Sequence, residues 1–161
     1  MQVNSWMELP RGSVGSTERH ARIIADSYRR LLGRPLLAAA EAGEGLAPLL
    51  FEADIVVLSH GTEPDPVLNY GNRAALRLWE MDFSAFTRMP SRQTAEPLIQ
   101  ADRERFMQTV AERGFADDYT GIRISSSGRR FELQNAVVFN LQDEAGRPYG
   151  QAAAITRYRY V

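Results

Sequence analysis

The sequence predicts a mixed α+β domain: a five-stranded antiparallel sheet flanked by short helices and preceded by a helical extension. Three observations lead there. Apolar residues recur at helical spacing in the first part of the chain. Two short β-branched runs, DIVVLSH (54–60) and VLNY (67–70), precede further helical stretches. The last third then changes to period-two alternation, broken by glycine-containing turns. Two strands before the helices and three after them make one sheet.

The elements follow in order. TERHARIIADSYRRLL (17–32) puts Ile24, Tyr28, Leu31 and Leu32 on one helical face, with Ser16 as a cap and Gly33 and Pro35 as the stop. Leu36 to Leu50 reads as helical in pieces, broken near Gly43, Gly45 and Pro48. After the two strands, Asn72 suits a helix cap for RAALRLWE, with Ala75, Leu76 and Trp79 on its inner side. DFSAFTRMPS reads as broken and loop-like. A longer helix spans about 98–113, with Phe106, Met107, Val110 and Ala111 as its apolar face and Gly114 as its end. YTGIRIS, RRFELQNAVVFNL and YGQAAAITRYRY close the chain as three strands, with SSSG and DEAGRP as their turns. The organisation is a helical extension over 1–49 and a main domain over 50–161.

Composition narrows the function. At 161 residues, the chain suits one domain that buries roughly two-thirds of its unfolded surface. Its hydrophobic and charged fractions, 44% and 24%, belong to an ordinary globular protein. There is no cysteine, hence no disulfide framework, thiolate nucleophile or thiolate metal site. All 19 basic residues are arginine, which removes Schiff-base chemistry and a phosphate-loop lysine. A net charge of -1 with scattered arginines predicts no nucleic-acid or membrane partner. No apolar run approaches the ~20 residues of a membrane span, and MQVNSWMELPRGS lacks the apolar core of a secretory signal, so a cytoplasmic location is expected.

Few residues invite a chemical reading. PVLNYGNRAALRLWE (66–80) is dense in polar groups, but it reads as the joint between a strand and a helix, with Gly71 giving backbone freedom and Asn72 capping. His60 ends a strand. Its neighbour Ser59 points to the opposite face and is no partner for it, so His60 either bonds the nearby turn or contacts a ligand. His20 shares a helical face with Ile24, and two histidines forty residues apart make no metal motif. Asp117 and Asp118 diverge on an extended segment, and SSSG reads as a hairpin turn rather than a phosphate cradle. GSVGS near residue 12 reads as a loose N-terminal segment.

YGNRAALRLWEMDFSAFTRMPSRQTAEP, with GFADDYTGIRISSSGRRFELQNAVVFNLQDEAGRPYGQAA, resembles the MEKHLA domain, a PAS-related family. That family occurs as stand-alone bacterial proteins and at the C-termini of plant class III homeodomain-leucine-zipper regulators. The resemblance covers about residues 50–156 and implies a PAS-like fold. The six-letter string that names the family is absent. With no DNA-binding segment expected ahead of the domain, the plant proteins' transcriptional role is not implied. Flavin photoreceptors of the LOV type need a cysteine, and haem-binding PAS domains commonly use a histidine on the long helix. This sequence has neither, so no cofactor is expected.

What remains is the inner face of the sheet. Period-two alternation puts Phe131, Leu133, Asn135, Val137 and Phe139 on one face, and Gln151, Ala153 and Ile155 on another. Asn135 and Gln151 are then either polar handles in an apolar ligand cavity or amides that satisfy nearby backbone groups. The candidate cavity residues are His60, Tyr70, Trp79, Phe106, Phe131, Leu133, Asn135, Val137 and Gln151. The expected role is non-enzymatic: sensing a small ligand, or regulatory association, with a homodimer formed through the N-terminal helix. An enzyme using a cavity-facing cluster around His60 is the alternative. A pure association module would instead have a filled core.

Overall fold

The computed structural model describes residues 14–37, 45–94 and 100–161. Its elements are α1 (Glu18–Leu32), α2 (Leu46–Glu52), β1 (Val56–His60), β2 (Leu68–Gly71), α3 (Arg73–Trp79), α4 (Phe83–Phe86), α5 (Gln100–Arg113), β3 (Phe115–Ile124), β4 (Arg130–Gln142), β5 (Pro148–Ile155) and β6 (Tyr158–Tyr160). The sheet runs β2-β1-β5-β4-β3, with every neighbouring pair antiparallel. The expected third closing strand is divided: β6 pairs separately with the start of β4, so the sheet has six strands rather than five. The predicted breaks at Gly43 and the first residues of the 98–113 helix lie outside the described residues.

Local chemistry explains the boundaries. Thr17, rather than the expected Ser16, caps α1 by accepting from the His20 amide at 3.0 Å. Gly33 ends the helix in the left-handed conformation at φ 73°. Pro48 sits in the first turn of α2, where its missing N–H costs nothing, and so does not break the helix. Asp82 caps α4 inside the stretch expected to be a loop. Part of the GSVGS stretch, Val14–Ser16, forms a 3-10 turn packed against β2, where a Cβ on Gly15 would collide with the Asn69 carbonyl oxygen.

The apolar stripe of α1 was expected to need a second copy. It is covered by the chain's own sheet. Ile24 is fully buried, Tyr28 meets Phe139 of β4 edge-on at 5.2 Å, and Ser27 Oγ accepts from the Gln142 amide at 3.1 Å. α1 therefore occupies one face of the sheet and shares a single apolar core with it. α5 occupies the other, where Asn140 donates to the Val110 carbonyl at 3.2 Å.

The joint at Asn72 ties the fold together. Its Oδ1 accepts from the amides of Val57 and Ala75 at 3.0 and 3.1 Å, and its Nδ2 donates to the carbonyls of Leu50 and Ile55 at 3.1 and 2.7 Å. One buried amide thus uses all its bonding capacity to join α2, β1 and α3. Gly71 before it has no left-handed φ. It supplies room, not conformational freedom, because a Cβ there would lie 2.5 Å from the Phe86 ring.

Bulges on β4 and β2 alter which way those strands face. On β4, Asn135 takes a left-handed φ of 53° and is exposed. Opposite it, Tyr119 and Gly121 pair with Ala136 and Leu133, so β4 carries one extra residue. Beyond the bulge, Ala136, Val138 and Asn140 take over the face of Leu133, while Val137, Phe139 and Leu141 turn towards α1. On β2, Tyr70 pairs with Ser59 and Leu68 with His60, leaving Asn69 extra.

Replacing Asn72 with Ala strands four backbone groups in a buried site. The expected loss is about 3–5 kcal/mol of stability by urea unfolding; a loss below about 1 kcal/mol would contradict the assignment of this joint.

Candidate functional site

A cavity of about 60 Å³ lies between the sheet and the helices that follow β2. Leu58 and His60 of β1, Leu68 of β2, Trp79 of α3, Phe106 of α5, Leu133, Ala136 and Val138 of β4, and Gln151 and Ala153 of β5 form most of its wall. Tyr119 and Arg123 of β3 also line it, as do Ser91 and Thr94 of the turn after α4, Met107 of α5 and Ile155 of β5. Ala153 of β5 and Ala136 of β4 are small and leave space that larger side chains would fill. The volume falls well short of the roughly 300–1,000 Å³ of pockets that enclose drug-sized ligands. It matches room for a few waters or a small organic group.

Of the candidate residues, His60, Trp79, Phe106, Leu133 and Gln151 do line this cavity. Phe131 does not line it but packs behind the wall, its ring 5.1 Å from that of Trp79. Asn135 and Val137 do not reach it, because the β4 bulge exposes the first and turns the second to the α1 face. Tyr70 does not reach it either; the β2 bulge sets its ring 5.7 Å from that of His20. Gln151 keeps a structural bond, donating to Asn140 Oδ1 at 3.1 Å. His60 Nδ1 meets the Gly61 carbonyl at 2.8 Å.

Period and motif gave no signal for Tyr119 and Arg123, which the wall includes. Arg123 forms no ion pair among the described residues, and its guanidinium carbon lies 5.0 Å from the Tyr119 ring centre. Burial lowers the pKa of Arg123, opposed by the adjacent Tyr119. The Tyr119 hydroxyl is near enough to act on that charge, yet it makes no aligned hydrogen bond, and neither does Trp79 Nε1. Both atoms are fully buried, a condition that costs roughly 1–3 kcal/mol each unless something completes the bond.

A second polar cluster sits on the opposite face. His20 Nε2 lies 3.0 Å from Ser59 Oγ and its Nδ1 lies 2.9 Å from the Tyr149 hydroxyl. Ser59 Oγ in turn donates to Asn69 Oδ1 at 2.5 Å, so its proton is directed away from the histidine and it is not arranged as a nucleophile. As alternation required, Ser59 turns away from His60. The SSSG turn is likewise structural: Ser125 and Ser127 donate to the Glu80 carboxylate, which lowers its pKa and fills the place an anion would take. Among the described residues, no group of three or more His, Cys, Asp or Glu could hold a metal ion, and no helix is long and apolar enough to cross a membrane.

Known proteins share this architecture. The MEKHLA domain model matches residues 18–160, and so includes α1. No curated protein sequence matches. Among solved structures, the PAS domain of a protein from Colwellia psychrerythraea aligns at a TM-score of 0.57 with 11% identity, covering 68% of this chain and 91% of that one. A cysteine-to-serine mutant of Vivid aligns at 0.58 with 13% identity, covering 83% and 99%. A light-oxygen-voltage domain studied with a flavin analogue aligns at 0.58 with 18% identity, covering 74% and 87%. At these identities the likeness is one of fold.

The buried His20 predicts a pH dependence. Burial, with the neighbouring Arg19, lowers its pKa from 6.5 to about 4. The unfolded chain takes up this proton below about 6.5 and the folded chain only near 4, so stability falls as pH drops through that window. The expected loss is about 2 kcal/mol between pH 7 and pH 5 by urea unfolding. His20→Gln should remove most of that slope; an unchanged slope would contradict the assignment.

Proposed function

The chain belongs to the MEKHLA domain family, and from that premise we propose that it is a non-enzymatic sensory or regulatory domain whose cavity receives a small ligand. Three buried side-chain atoms lack partners among the described residues. The Tyr70 hydroxyl lies on the His20 side; the other two, Trp79 Nε1 and Tyr119 Oη, belong to residues on the wall of a cavity, which is the observation that carries this reading. Unmade buried hydrogen bonds are destabilising, and here two of them border one space that a molecule could occupy. A bound molecule that completes those bonds makes the arrangement favourable.

Association is the weaker reading. It drew on an unpartnered apolar face of the N-terminal helix, and that face is covered by β4. A flavin does not suit these residues. The chain has no cysteine for an adduct, and the cavity is far below the volume of pockets for ligands of that size. A haem would need an axial ligand, and α5 carries no histidine to supply one.

Mass spectrometry of small molecules released by denaturing freshly purified protein tests this reading. The expected result is a stoichiometric low-mass compound, or, from an empty preparation, a rise in melting temperature with small organic molecules. No release and no stabilisation by any of them would overturn it. The purified protein is also expected to be colourless; flavin or haem absorption that survives gel filtration would contradict the reading.

A further inference from the structure

We propose that the ligand is a small organic acid, its carboxylate held by Arg123, Tyr119 and Trp79 and its apolar part by the alanine-rich end of the cavity. This rests on the ligand-binding reading above and specifies its chemistry. Two sets of contacts link the three groups. Arg123 is the ladder partner of Phe131, and the Phe131 ring lies 5.1 Å from that of Trp79. Tyr119 lies two residues before Gly121 on the strand that ends near Arg123, and a Cβ on Gly121 would be 2.8 Å from the Tyr119 hydroxyl. The absent side chain therefore lets that hydroxyl lie along β3 on the Arg123 side.

The chemistry of these groups is lopsided. The guanidinium and the indole N–H can only donate, and the phenol can donate. No Asp or Glu lines the cavity among the described residues, so nothing there neutralises Arg123 or accepts from Trp79. A half-buried guanidinium without a counter-ion is unfavourable, and a bound anion removes that cost. A planar two-oxygen head matches the guanidinium fork, and its remaining lone pairs can accept from the phenol and the indole. One positive charge beside two neutral donors suits a monoanion better than a phosphate dianion. Leu58, Ala136, Val138 and Ala153 offer only apolar contact to the rest of the molecule.

Calorimetric titration of the full chain with butyrate, with butyramide and with inorganic phosphate tests this assignment. Butyrate is expected to bind at least tenfold more tightly than butyramide. Arg123→Gln should abolish that preference while leaving butyramide binding in place, with its melting curve confirming that it folds. Equal binding of acid and amide by the parent protein would overturn the carboxylate assignment and leave the cavity reading standing. Phosphate binding as tight as butyrate would also overturn it. Failure of both organic probes to bind, joined to no released compound, would overturn both readings. The comparison of acid with amide in the parent protein holds even if the variant does not fold.

Discussion

The side chain of Asn72 is the constraint on which the cavity depends. Backbone groups from α2, β1 and α3 converge on one buried amide, which satisfies each of them with four hydrogen bonds. Neither a smaller side chain nor a carboxylate can do the same, since two of the bonds need donors and two need acceptors. With the joint fixed, α3 leaves the sheet at a set angle and brings Trp79 over Phe131. Phe86 then fits into the space left by Gly71. The cavity is the gap between this framework and small residues on β4 and β5.

Asn135 and Asn69 show why the fold was more legible in the sequence than the site. Element type followed from period and punctuation: the strand at DIVVLSH, the cap at Asn72, the stop at Gly33 and Gly114 and the final meander all lie where the pattern put them. Facing did not follow, because one inserted residue reverses every position beyond it. The alternation from Phe131 to Phe139 looked unbroken, but Asn135 in a left-handed conformation divides it. The same effect at Asn69 moved Tyr70 from the cavity to the His20 cluster. At Asn135 the available signal was an asparagine inside a strand pattern, since it tolerates positive φ better than its neighbours; Asn69 has no positive φ and gave no such signal. The cover over α1 was not legible either, as an amphipathic stripe does not say which surface it meets.

The two polar clusters on opposite faces of the sheet differ in how far their bonds are complete. His20, Ser59, Asn69 and Tyr149 satisfy one another, although the buried Tyr70 hydroxyl beside them has no partner among the described residues, and burial holds His20 neutral. Trp79, Tyr119 and Arg123 do not, and their surplus of donors is what distinguishes the cavity side. The PAS and light-oxygen-voltage structures share the scaffold at 11–18% identity, and that likeness extends to the fold.

The most direct measurement follows the indole N–H signal of Trp79 by two-dimensional NMR. The sequence has only two tryptophans, Trp6 and Trp79, so the signal can be assigned with one substitution. Adding butyrate should move the Trp79 indole proton downfield in a saturable way as it gains an acceptor, and butyramide should move it far less. An indole signal that stays in place while butyrate saturates the protein, or one that never responds to any acid, would contradict the carboxylate site.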